Sequence, residues 1–145
     1  MTGLVIYDYK YSKYIFEKCK CELICSNIYK CTYFFQEFYL IILDNDYENN
    51  IISLNYLINN LLVKELFYIS VKQSKCNCFD LLYFGNNSKL NKLIECSNER
   101  GLKIKEDKNK KIPYNGIYII NYKCLCNIKN CIKKSQKLFL DYLLI

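Results

Sequence analysis

"CFDLLYFGNNSKLNKLIECSNERGLKIKE" (residues 78–106) holds three kinds of local signal in one stretch. An apolar run over residues 79–84 stops at Gly85-Asn86-Asn87-Ser88, a cluster of turn formers. A helix over residues 88–100 follows, with Ser88 as N-cap and Gly101 as C-cap. "LKIKE" then alternates as a strand. The bulky Tyr83 and Phe84 are thus set at the end of a buried strand, directly before a turn that begins with glycine.

The pattern extends in both directions. "YSKYIFEKCK" places Tyr11, Tyr14, Ile15 and Lys18 at helical spacing, with Ser12 as a candidate cap. "CELIC" (21–25) reads as a short strand, and "EFYLIIL" (37–43) as a strand apolar on both faces, hence central in a sheet. "DNDYENN" is a polar turn. In "IISLNYLINNLLV" (51–63), Ile51, Leu54, Leu57, Ile58, Leu61 and Leu62 form a helical stripe. "ELFYISV" (65–71) and "IYIINYK" (117–123) are strands, and "SQKLFLDYLLI" (135–145) is a helix with Ser135 as a candidate cap. This order predicts an α+β fold, a mixed sheet backed by helices with a small α/β lobe. Residues 1–75 would form the first lobe, and residues 76–145 the last strand of its sheet and the second lobe.

A chain of 145 residues, 52% of them hydrophobic, suits one domain or two small lobes on a shared core. No apolar run approaches the ~20 residues of a membrane span. Asp8, Lys10 and Lys13 interrupt the N-terminus, so no signal peptide is expected, and the protein is expected to be soluble and intracellular. Ala, Trp and His are absent, while Ile, Asn, Lys and Tyr abound, as AT-rich coding produces. The net charge is +7, with Lys103, Lys105, Lys108, Lys110 and Lys111 clustered. Such a cluster suits either a solvated loop or contact with a polyanion.

The ten cysteines include no pair separated by two residues, the usual structural-zinc spacing, and no histidine can complete a site. In a reducing compartment they are expected to remain thiols, most of them as small core hydrophobes.

The order of elements, with "LLYFGNNSKLNK" and "ERGLKIKE", resembles the DNA polymerase X family of polymerase β-like nucleotidyltransferases. The resemblance implies a nucleotidyltransferase-like palm and a small thumb lobe. It implies Tyr83 and Phe84 shaping the nucleotide pocket, Gly85 admitting the backbone, and Asn91, or Asn87, facing the minor-groove edge. Ser26 and Lys30 would stand where the family binds phosphate. The family's three metal-binding aspartates correspond to Glu37, Tyr39 and Tyr68. A phenol is a poor magnesium ligand, so Glu37 alone could hold a metal.

The implied protein is a degenerate polymerase with turnover absent or very weak. It would need no cofactor, or Mg²⁺ if activity survives. It would retain binding of gapped or nicked DNA through Lys103, Lys105, Lys108, Lys110 and Lys111, and binding of dNTP. Two alternatives stand beside it: a non-catalytic module that binds a protein partner, and a Cys-rich metal-binding regulator. No membrane association is expected in any of them.

Overall fold

The computed structural model describes residues 1–7, 9–71, 78–85, 90–99, 103–106, 117–123 and 128–144. In chain order the elements are β1 (Thr2–Tyr7), a 3-10 turn (Tyr9–Tyr11), α1 (Lys13–Lys18), β2 (Lys20–Cys25), β3 (Ile28–Tyr33), β4 (Gln36–Leu43) and α2 (Tyr47–Asn59). There follow β5 (Glu65–Val71), β6 (Cys78–Phe84), α3 (Leu90–Asn98), β7 (Lys103–Glu106), β8 (Ile117–Lys123) and α4 (Ile128–Leu143).

The strands form one eight-stranded sheet in the order β2-β3-β4-β1-β5-β6-β8-β7. β1 lies parallel to both β4 and β5, and the remaining pairs are antiparallel. The expected α+β class, a mixed sheet backed by helices, is what the chain forms. The boundary drawn near residue 75 falls between β5 and β6, which pair from Leu66↔Phe84 to Val71↔Phe79.

Strand alternation supplies two cores, one on each face. Leu4, Ile6, Leu40, Ile42, Phe67, Ile69, Leu81 and Tyr83 pack with Ile15 of α1, Leu93 of α3 and Phe139 of α4. Val5, Ile41, Leu43, Leu66, Leu82 and Phe84 pack on the other face with Leu57 of α2. Phe67 is fully buried and meets Phe139, Tyr83 and Tyr142 at ring-centroid distances of 5.0–5.1 Å. These are the tilted and edge-on contacts that aromatic quadrupoles favour.

β1 and β3 are absent from the sequence expectation. β1 is the innermost of the parallel strands, and Gly3 makes that position accessible. A Cβ on Gly3 would lie 2.8 Å from Leu66 Cδ1 and 3.2 Å from Leu57 Cδ2. α2 runs over 47–59, not 51–63, because Asp46 caps it by accepting a bond from the Asn49 amide at 3.2 Å. Leu62 already lies past its end, at φ 52°. α4 begins at Ile128, so Ser135 is a buried mid-helix residue and not a cap. Ser12 precedes α1 but makes no capping bond; its hydroxyl donates to the Tyr9 carbonyl. Gln136 of α4 takes over that role across 121 residues of sequence. Its Oε1 accepts from the Ile15 amide at 3.1 Å, and its Nε2 donates to the Tyr11 carbonyl.

The Tyr83-Phe84-Gly85 junction has a packing explanation. Tyr83 is 0% exposed, and its hydroxyl donates to Glu65 Oε2 at 2.8 Å. Tyr142 of α4 donates to the same oxygen at 2.8 Å, and Thr2 of β1 donates to Oε1 at 2.6 Å. A Cβ at position 85 would collide with the Tyr83 ring and hydroxyl. Glycine is therefore what allows the ring to lie along its own strand toward Glu65.

Burying an ionised carboxylate requires these donors. Tyr142→Phe should lower unfolding free energy by about 1.5–3 kcal/mol, the value of a hydrogen bond to a charged group. Glu65→Ala should cost more than that, because it strands three hydroxyls. Urea unfolding followed by circular dichroism measures both. The β3–β4 turn offers the opposite sign: Phe34 sits at φ 54° and is 69% exposed. Phe34→Gly should raise stability by about 1 kcal/mol in the same experiment, by relieving left-handed strain.

Candidate functional site

The sheet has two unlike ends. At the amino ends of the parallel strands, Thr2 and Glu65 are buried under α4. At their carboxyl ends the chain opens. After β1 it passes to α1, whose Ile15 belongs to the core of one face. After β4 it passes to α2, whose Leu57 belongs to the other. Two adjacent parallel strands whose connections leave to opposite faces create a crevice at their carboxyl ends, the usual ligand position in open α/β sheets.

A cavity of about 370 Å³ lies there, lined by Tyr9, Ser26, Asn27, Tyr29, Leu43 and Asp44, among others. This volume lies within the range of small-molecule sites. One wall is aromatic. Tyr29 of β3 meets Phe16 edge-on at 5.1 Å, and Phe16 packs on Tyr9 at 5.4 Å. Burial raises the Tyr29 phenol pKa, with Tyr9, Cys21 and Cys31 nearby adding to the shift. The phenol therefore stays a neutral donor at pH 7.

The polar rim is fixed by hydrogen bonds. Asn27 Nδ2 donates to the Ile42 carbonyl at 2.8 Å, and Asn27 Oδ1 accepts from Ser53 of α2 at 2.5 Å. These bonds hold the β2–β3 turn against β4 and α2. Ser26 in that turn is exposed, with φ 44°. Asp44 is clamped through its backbone by Asn50, whose Oδ1 accepts from the Asp44 amide and whose Nδ2 donates to its carbonyl. Asp44 Oδ1 accepts from the Asp46 amide at 2.8 Å. A carboxylate has about four lone-pair sites, so this bond leaves acceptor capacity at the crevice.

The residues assigned from the polymerase resemblance do not assemble. Glu37 is exposed near the start of β4, where it pairs with Lys30 at 3.6 Å. Tyr39 and Tyr68 pack on the α2 face, whereas Tyr83 belongs to the core of the opposite face. Tyr83 cannot face a site formed by Glu37, Tyr39 and Tyr68, and its full burial excludes stacking on a nucleotide. Phe84 and Gly85 are buried as well, and Asn91 is exposed on α3. Of that set, only Ser26 lines the crevice. Lys103 and Lys105 lie on the edge strand β7, and Asn87, Lys108, Lys110 and Lys111 lie outside the described residues. Among the described residues no group of three or more Asp, Glu, Cys or His could hold a metal ion. None of the described helices is long and apolar enough to cross a membrane.

No family model matches the chain, and no curated protein matches it. Among solved structures the fold is similar to that of Campylobacter jejuni 5'-methylthioadenosine/S-adenosyl homocysteine nucleosidase. The TM-score is 0.60 with 11% sequence identity, over 97% of this chain and 97% of that one. This overturns the polymerase X resemblance and, with it, the palm and thumb identities and the reading as a degenerate DNA-repair polymerase. The DNA binding inferred from that resemblance loses its support. The two alternatives, a protein-interaction module and a Cys-rich metal regulator, gain no support. At this identity the likeness concerns the fold alone.

Apart from Ser26, none of the lining residues was assigned to a site from the sequence. The one signal was the polar run 44–50 directly after an apolar central strand, and it reaches only Asp44 and Asn45. The Lys30–Glu37 pair, with side chains 41% and 45% exposed, is a surface ion pair. Lys30→Ala and Glu37→Ala should each change unfolding free energy by no more than about 1 kcal/mol. A thermal melt of either variant that falls well outside that range would assign the pair a larger role.

Proposed function

We propose that the chain binds a nucleoside-class ligand in the crevice at the carboxyl ends of β1 and β4. The observation that carries this reading is the combination of Tyr9 and Tyr29 with Asp44 and the Asn27 and Asn45 amides around one cavity at the point where the chain changes faces. A nucleobase is flat and apolar on its faces and carries donors and acceptors on its edge. Tyrosine rings suit the faces, while an amide and a carboxylate suit the edge and the sugar hydroxyls. The fold-level neighbour is, by its name, a nucleosidase acting on 5'-methylthioadenosine and S-adenosyl homocysteine. That supports the choice of ligand class.

Binding is the part that these residues support. Hydrolysis of a nucleoside's N-glycosidic bond calls for an acid to protonate the leaving base and a base to activate water. Asp44 is the one carboxylate among the described lining residues.

Calorimetric titration with adenosine and with 5'-methylthioadenosine tests the reading. Saturable binding is expected, weakened about tenfold or more by Tyr29→Ala or Asp44→Ala, since about 1.4 kcal/mol of lost contact is a factor of ten. Absence of binding at millimolar ligand, or binding that neither substitution alters, would sink the proposal. Free adenine, followed by chromatography, is expected not to rise above the protein-free control.

A further inference from the structure

Cys21 and Cys31 stand directly opposite each other on the antiparallel strands β2 and β3. Their Sγ atoms are 2.7 Å apart, with the Cys31 thiol donating to Cys21. Both are free thiols. Opposed residues on antiparallel strands have Cα separations of about 4.5–5.5 Å, inside the range that a disulfide spans. The Cα spacing of the two positions is therefore compatible with a disulfide.

We propose that Cys21 and Cys31 form a thiol–disulfide modification site, with Cys21 as the attacking and Cys31 as the resolving sulfur, taking a low-molecular-weight disulfide of the glutathione class as oxidant. The two positions differ as these roles require. Cys21 is half-buried and reachable on the edge strand, whereas Cys31 is 0% exposed. The hydrogen bond from Cys31 lowers the Cys21 thiol pKa, and the same bond, together with burial, raises that of Cys31. A larger thiolate fraction at Cys21 favours it as nucleophile. Cys19 is nearby, but burial pushes its thiol up to about 12, which makes it a poorer first nucleophile than Cys21.

The chemistry balances in two exchanges. The Cys21 thiol gives its proton to water, and its thiolate attacks one sulfur of glutathione disulfide, forming a mixed disulfide and releasing one glutathione thiolate, which takes that proton back. The mixed disulfide removes the bond to Cys21 that raises the Cys31 thiol, so Cys31 can give up its proton. The Cys31 sulfur then attacks Cys21 Sγ and expels the second glutathione, which takes the Cys31 proton. Two protein thiols are oxidised to one disulfide, and one glutathione disulfide is reduced to two glutathiones. The bond would fasten the edge strand β2 to β3, which carries Tyr29. It does not depend on the ligand reading of the crevice.

The test is peptide mass mapping of the full chain after incubation with glutathione disulfide, with unreacted thiols blocked by alkylation. The expected result is a Cys21–Cys31 link that dithiothreitol removes, and a higher urea midpoint for the linked form than for the reduced form. Cys31→Ala should instead accumulate a glutathione adduct on Cys21, while Cys21→Ser should leave Cys31 unmodified. No Cys21–Cys31 link in the unaltered chain, or Cys21 joined instead to another cysteine, would overturn the proposal. Adduct on Cys31 in the Cys21→Ser variant would overturn the assigned order of attack.

Discussion

Glu65 begins β5 with its carboxylate almost wholly buried, and three hydroxyls from three other elements converge on it. An ion in that position is tolerable only when its lone pairs are met. Because the donors come from β1, β6 and α4, satisfying Glu65 sets three relative placements at once. β1 must start level with β5, as the Thr2↔Glu65 register records. The Tyr83 ring must turn to the α4 face, which requires Gly85 two residues on. α4 must end over the amino ends of the parallel strands, with Phe139 and Tyr142 against Phe67. Apolar packing alone would hold these elements together without selecting one register. The polar cluster adds direction to that attraction.

This closed end determines where the open end lies. Parallel strands whose amino ends are covered by α4 present their carboxyl ends to the other side, and there the connections after β1 and β4 part to opposite faces. The crevice is thus a consequence of chain direction, and its lining comes from the ends of β3 and β4 and from turns that the sheet holds in place. Asn27 shows the linkage. Bonded to Ile42 on β4 and Ser53 on α2, it transmits the position of the sheet to the turn that carries Ser26.

Much of the fold was legible because central strands are written in continuous apolar runs. "EFYLIIL" reads as buried on both faces, and β4 is indeed interior. β1 was not legible: six residues at the chain start, interrupted by Gly3, carry too little periodicity, and their neighbours β4 and β5 lie tens of residues away. Gln136 capping α1 and Tyr83 reaching Glu65 are equally non-local, so no window of sequence contains both partners. The same limit explains the polymerase resemblance. A strand ending in two aromatics before a glycine turn and a helix satisfies a packing need that many folds share. Its meaning depends on the face each ring takes, and here Tyr83 and Phe84 go to opposite cores. Of the candidate site, the polar run after β4 was visible as a turn. Tyr9 and Tyr29, in a chain with 15 tyrosines, were indistinguishable from the rest.

β2 is weakly supported in this architecture. It lies at the sheet edge, and of its residues only Cys21 and Cys25 are even half-buried. Lys20 and Glu22 place charge along it, which discourages pairing with another chain's strand. Its hold on the sheet comes from pairing with β3 on one side, with a register irregularity between Leu23 and Cys25. Yet β3 supplies Tyr29 to the crevice wall, and the turn between the two strands supplies Ser26 and Asn27. The wall of the crevice is therefore built at the margin of the sheet, away from the Glu65 cluster that orders the centre. Cys21 and Cys31 meet between these two strands, at the place where one added covalent bond would stiffen that margin and leave the central register untouched.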